Sequence, residues 1–158
     1  MLMPGVEAEH PVTKKVLAAM PEAQAALKPH EKSMNALDLA WHIAASEVWF
    51  LNSIADGKIG AEDSNRPPTL DSFAKILDWY SAEFAAGVAK VKAMSGEQLA
   101  QPIDFFGILN LPAVAYLNLL NNHSVHHRGQ FSVYLRLAGA KVPSIYGGSA
   151  DEPFQPPS

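Results

Sequence analysis

The stretch from Asn35 to about Ala55, NALDLAWHIAASEVWFLNSIA, carries only two charged residues, Asp38 and Glu47, and is apolar almost all the way round. Asn35 stands before it as an N-cap with Asp38 three residues on, so the stretch predicts a helix. A helix with no polar face cannot lie on a surface. It has to be enclosed by other elements on more than one side.

Those elements are readable in the same sequence. From Thr69 onward, Phe73, Ile76, Leu77, Tyr80, Phe84, Val88 and Val91 fall on one stripe with a 3.6-residue period. A shorter pattern, Pro11 to Met20, opens with proline as a first-turn residue and carries Val12, Val16, Leu17 and Met20. The last runs from near Pro112 to Ala138, with Gly139 as its stop. Ser95 and Gln98 predict a short capped turn before it. The punctuation lies at 29–35, 57–68, 95–112 and in the tail from about Pro143, and the segments between these places show helical patterns, not strand alternation. The expectation is an all-α fold: a four-helix bundle with long connections, at least one of them crossing the bundle or covering its end. All 158 residues read as a single domain.

Composition narrows the function classes. With 12 Lys+Arg against 16 Asp+Glu the net charge is -4, which gives a polyanion nothing to hold, so no nucleic-acid partner is expected. The longest apolar run, Phe105 to Leu120, is broken by Asn110, Pro112 and Asn118, and no membrane span is expected. The start, MLMPGVEAEH, lacks a basic region followed by an apolar one, so a cytoplasmic protein is expected. There is no cysteine, which removes thiolate ligands and cysteine nucleophiles together.

Chemistry is left to histidine. Three of the six histidines, His123, His126 and His127, lie on the last helix, LLNNHSVHHRGQFSVYLRLAG. At 100° per residue its apolar stripe runs through Ala113, Tyr116, Leu117, Leu120, Phe131, Tyr134, Leu135 and Ala138. His127 falls near the centre of that stripe, His123 about 40° from it and His126 at the margin. Side chains at i and i+4 share one helical face, so His123 and His127 can reach a common metal ion. The spacing equally suits two core histidines bonded to hydroxyls or backbone. His42, on the enclosed helix but off its main stripe of Leu37, Ala40, Ala44, Val48 and Leu51, is the candidate third ligand. Glu7 and His10 make an isolated E-x-x-H match with no second copy, which argues against a di-iron centre.

The strings NALDLAWHIAASEVWF and HSVHHRGQFSVYLRLAGAKVPSIYGGSAD together resemble the DinB/YfiT-like family. The likeness extends from about Pro11 to Asp151. The family's mark is one histidine on the second helix and an H-x-x-x-H pair followed by R-G-Q on the last. Here these are His42, His123 and His127, with Arg128, Gly129 and Gln130. The resemblance implies a bundle that holds one divalent transition metal (zinc, nickel or iron) on three histidines, often as a homodimer. It implies a metal-dependent enzyme, a hydrolase or an S-transferase, acting on a small-molecule substrate and using water or a low-molecular-weight thiol. The alternative is a non-catalytic metal-binding or stress-response bundle.

Four further residues are candidates for supporting or substrate contacts. Glu47, five residues past His42, suits an acceptor behind the ligands or a general base, and better a solvated or dimer-edge carboxylate. Arg128 suits a substrate carboxylate or a bond to a helix end or the tail. Gln130 suits a hydrogen bond to a ligand histidine or a solvent-facing position. His126 is expected not to be a ligand, although a small rotation of the helix would exchange it with His127.

Overall fold

The computed structural model describes residues 2–61 and 65–154. Among these residues four long helices form a bundle: α1 (Leu2–Ala18), α2 (Ala36–Asp56), α3 (Phe73–Lys92) and α5 (Tyr116–Leu137), with the short α4 (Gly96–Ala100) before the last. Helix α2 packs against α3 and α5, and α1 against α5 and α3, so α1 and α2 lie diagonally across the bundle.

Helix α2 is buried over most of its circumference, from Ala36 and Leu37 through Ile43, Ala44, Val48 and Leu51 to Ile54, with a partly exposed strip through Asp38, His42, Trp49 and Asn52. The Asn35 side chain caps it by accepting the Asp38 N–H, and Gly57 ends it in the left-handed region at φ 67°. Helix α3 presses closely on it. A Cβ on Gly87 would stand 2.9 Å from the Leu51 Cβ, which is why a residue without a side chain occupies that crossing.

Three boundaries and one element differ from the sequence expectation. Helix α1 begins nine residues before Pro11, so that proline sits inside the helix and not in its first turn. Burial of Val6 together with Val16 and Leu17 holds the helix through the missing proline N–H. Helix α3 begins after Ser72 and not at Thr69. Ser72 accepts the Lys75 N–H, while the Glu22 carboxylate accepts the N–H groups of Phe73 and Ala74 at 3.2 and 3.1 Å. The start of α5 is preceded by a single tight turn at Ala113–Ala115.

The element missed is a hairpin. Strands β1 (Pro102–Phe105) and β2 (Leu109–Pro112) pair antiparallel, with Phe106 and Gly107 at positive φ in the turn. Its apolar positions do not alternate, because β2 is exposed at every residue and only Ile103 is buried. Tyr116 anchors it by donating to the Ile103 carbonyl at 2.7 Å. Phe105 stacks on Tyr116 and stands edge-on to Trp49, so the hairpin covers the end of the bundle where α2 and α5 meet. The capping box at Ser95 and Gln98 forms as the sequence predicts.

The described part of the tail folds back on the bundle. Lys15 pairs with Glu152 at 2.6 Å and Arg136 with Asp151 at 2.8 Å. No helix among the described residues is long and apolar enough to cross a membrane.

Candidate metal centre

His42 is carried by α2, and His123 and His127 by successive turns of α5. The packing of α2 on α5 brings the three rings together. Their centroids are 5.1 Å apart for His42 and His123, 4.6 Å for His42 and His127, and 4.4 Å for His123 and His127. One nitrogen from each ring can be chosen so that all three lie within 4.8 Å of one another.

The rings are half-buried and do not sit at the centre of the apolar stripe of α5. That line is occupied by Ser124 and Arg128, both 1% exposed. Helical phase alone put His127 there; the correction is about one position of rotation, and its cause is a second polar layer deeper in the bundle. His126 is exposed and lies outside the three-histidine group, although its ring stands 4.8 Å from that of His127.

Hydrogen bonds define the state of the rings. The Nδ1 of His127 lies 2.8 Å from the Gln130 Oε1. An amide oxygen only accepts, so Nδ1 carries the proton and Nε2 presents a lone pair. That Nε2 faces the Nε2 of His42 at 3.2 Å, and the Nδ1 of His42 has Ser46 Oγ at 3.5 Å. The Nδ1 of His123 is buried with no hydrogen-bond partner. Burial, then the charges of His127, His42 and His126, lower the pKa of His123 to about 4, so it is neutral at physiological pH.

This donor set fits a divalent ion. Two nitrogens each bound to one zinc at tetrahedral angles stand about 3.3 Å apart. The separation of the two Nε2 atoms, 3.2 Å, matches that spacing. The inward lone pair of His127 and the neutral His123 ring with its unsatisfied buried nitrogen are what a cation would satisfy. Three imidazoles also leave positions open for a further ligand.

Behind the histidines lies a layer that spacing did not reveal. Glu47 is 2% exposed, so the expectation of a solvated or dimer-edge carboxylate is overturned. Its carboxylate accepts from Thr13 at 3.1 Å and also from the hydroxyls of Tyr80 and Ser124. Thus α1, α3 and α5 each send one hydroxyl to a single carboxylate on α2. Burial raises the Glu47 pKa, and the three hydroxyls and the charge of Arg128 work against that rise.

Arg128 is fixed to other elements of its own chain. Its guanidinium pairs with Glu9 of α1 and donates to the Tyr146 hydroxyl of the tail at 2.6 Å, the second of the two contacts its position suggested. Its Nε and Nη1 are buried without a hydrogen-bond partner among the described residues. Thr13, Ser124, Glu9 and Tyr146 carried no signal of this layer, apart from a hydroxyl or carboxylate on otherwise buried helix faces and a tail tyrosine.

The sequence matches the DinB family over residues 5–156. The chain is a member of the DinB family. It is 30% identical to the uncharacterized protein YrdA of Bacillus subtilis over 148 residues, covering 92% of this chain and 86% of that one. YjoA of the same organism is 28% identical over 130 residues, covering 81% and 82%.

Two solved structures share the DinB fold. A crystal structure of the DinB-like YjoA of Bacillus subtilis superposes with a TM-score of 0.75 at 26% identity, covering 91% of this chain and 96% of that one. A DinB-like protein of Bacillus cereus gives 0.78 at 27% identity, covering 92% and 95%. The long α1, the hairpin and the folded-back tail of this chain therefore belong to a DinB-like helical bundle.

Proposed function

We propose that this DinB protein is a metal-dependent enzyme in which His42, His123 and His127 hold one divalent transition metal, zinc, nickel or iron. The observation that carries this reading is the facing of the two Nε2 atoms at 3.2 Å, with Gln130 fixing the tautomer of one of them. A divalent ion on three neutral imidazoles lowers the pKa of a bound water or thiol while leaving positions open.

The chain's own residues set up that chemistry. Gln130 accepts the Nδ1 proton of His127 and so keeps its Nε2 lone pair aimed at the site. Ser46 stands beside the outer nitrogen of His42. Glu47, tied to three helices, holds α2 in register with α5 and so keeps His42 opposite the other two rings. With no cysteine in the chain, a thiol has to arrive with a small molecule.

Two reactions suit the site. In hydrolysis, water adds to an electrophilic centre, and its proton leaves with the departing group. In S-transfer, the thiol sulfur forms a bond to an electrophilic carbon as the leaving group departs with its electron pair, and the thiol proton passes to solvent. Membership in the family extends the reading to a cytoplasmic homodimer with a small-molecule substrate. The net charge of -4 argues against nucleic acid as that substrate.

The competing reading is a bundle that keeps its metal without catalysis. A closed structural site takes a fourth protein ligand. Three imidazoles are the donor number that catalytic zinc sites use while keeping a position for substrate, which supports the catalytic form. The test is turnover by zinc-, nickel- and iron-loaded protein with low-molecular-weight thiols and electrophiles, alongside a panel of hydrolysable esters and amides. Turnover that disappears in His127→Ala supports the enzyme. Stoichiometric metal with no turnover in any form favours the non-catalytic bundle.

A further inference from the structure

His42 has a second neighbourhood besides the other two rings. A cleft of about 340 Å³ is lined by Met34, Asp38, His42, Asn65 and Arg66. It thus joins a proposed metal ligand to a guanidinium, within a volume suited to a small molecule.

The guanidinium is held in place by its own chain. Arg66 Nε donates to Asp38 Oδ1 at 2.9 Å, and Nη1 donates to the Leu70 carbonyl at 2.8 Å. Asp38 is committed to this task. Its other oxygen accepts from Asn35 Nδ2 at 2.7 Å, and its backbone N–H is bonded to Asn35 Oδ1 at 2.8 Å. Asp38 therefore acts as the anchor of Arg66, not as a receptor for a cation. Neither bond made by Arg66 uses Nη2, and its side chain is 21% exposed. A planar fork already fixed by two bonds loses little freedom when it takes a third partner.

We propose that this cleft binds a small molecule bearing a carboxylate, with Arg66 taking the carboxylate through its Nη edge and His42 standing at the reactive end. The proposal rests on the metal reading for what that reactive end meets. A carboxylate is favoured because its planar pair of oxygens matches the guanidinium fork. A doubly charged phosphate is disfavoured because Asp38, in contact with the same guanidinium, cancels much of its charge.

The test uses the full chain loaded with cobalt(II), titrated with 3-mercaptopropionate and with its neutral match, 3-mercaptopropionamide. Binding is read from the sulfur-to-cobalt absorption. The acid is expected to bind about tenfold more tightly than the amide, the size of one charge-assisted contact. In Arg66→Gln that preference should vanish, while the amide affinity and cobalt content stay the same. Arg66→Lys, which keeps the charge but not the fork, should fall between them and serves if the glutamine variant does not fold. Equal binding of acid and amide by the parent overturns the proposal. So does a preference that persists without Arg66, which would come from chelation by the thiol acid alone.

A second arm separates this proposal from the metal reading. Metal-free protein is titrated with propionate and followed by the backbone amide resonances of Asp38 and Arg66. Failure to take up cobalt defeats the metal reading. In that case shifts that propionate induces in the parent but not in Arg66→Gln keep the anion site, and their absence overturns it.

Discussion

A carboxylate taken out of water has to find its hydrogen bonds within the protein, and at Glu47 three helices supply one hydroxyl each. Replacing it with alanine strips the acceptor from Thr13, Tyr80 and Ser124 together and leaves a hole at the centre of the bundle. Glu47→Ala is expected to cost about 3 kcal/mol or more of unfolding free energy, by the weight of several buried groups left unpaired. Glu47→Gln, which keeps the shape and one accepting oxygen, should cost less. Urea denaturation of both variants checks the order; equal losses would mean that the full carboxylate is required and that keeping the shape and one accepting oxygen contributes nothing. Gln130 is the other decisive residue. Removing it frees the His127 ring to take either tautomer, and Gln130→Ala should weaken metal binding about 10–100-fold in competition with a chelator, while His126→Ala leaves it unchanged.

At the scale of elements, two glycines on helices make opposite predictions. Gly87 of α3 lies against Leu51 of α2, where an added Cβ would come to 2.9 Å. Gly87→Ala is expected to destabilise by about 1–3 kcal/mol, because the Leu51 side chain it meets is fully buried and has no room to yield. Gly129 of α5 has no atom within 4 Å of an added Cβ. Gly129→Ala is expected to stabilise by up to about 1 kcal/mol, the helix-propensity difference. Thermal melts of the pair check both signs. A stable Gly87→Ala would mean that the α2–α3 crossing is looser than the 2.9 Å approach indicates.

The elements themselves were legible where one pattern dominated. The sparsely charged length of α2 and the stripe of α3 demanded a bundle, and the Asn35 and Ser95 caps formed where the sequence placed them. The hairpin was hidden because its outward faces are as apolar as its inward ones, with Ile108 75% and Phe106 57% exposed. The rotation of α5 was hidden for a related reason. Periodicity finds apolar residues, and the deepest positions on that helix near the site are a serine and an arginine.

At the scale of the whole molecule, acid acts through buried imidazoles. His10 stacks on Phe84 at 4.1 Å with its Nδ1 buried and unpartnered, and burial, aided by Lys14, lowers its pKa to about 4. In the unfolded chain the same ring takes a proton near pH 6.5. Between those values the unfolded state binds more protons, so stability falls as pH falls from about 6.5 toward 4. His10→Phe keeps the stacking and removes the proton. Its denaturation midpoint should therefore decline less steeply than the parent's across that window, and parallel curves would remove His10 from the acid response.

The meeting of α2 and α5 at one three-histidine cluster makes metal content the most direct test. The measurement is elemental analysis of the purified, tag-free protein beside the triple His42/His123/His127→Ala variant, both reconstituted with zinc, nickel or iron and then desalted. We predict about one equivalent of divalent metal per chain in the parent and none in the folded variant. A parent that stays metal-free after reconstitution, or a variant that retains the metal, would contradict the assignment.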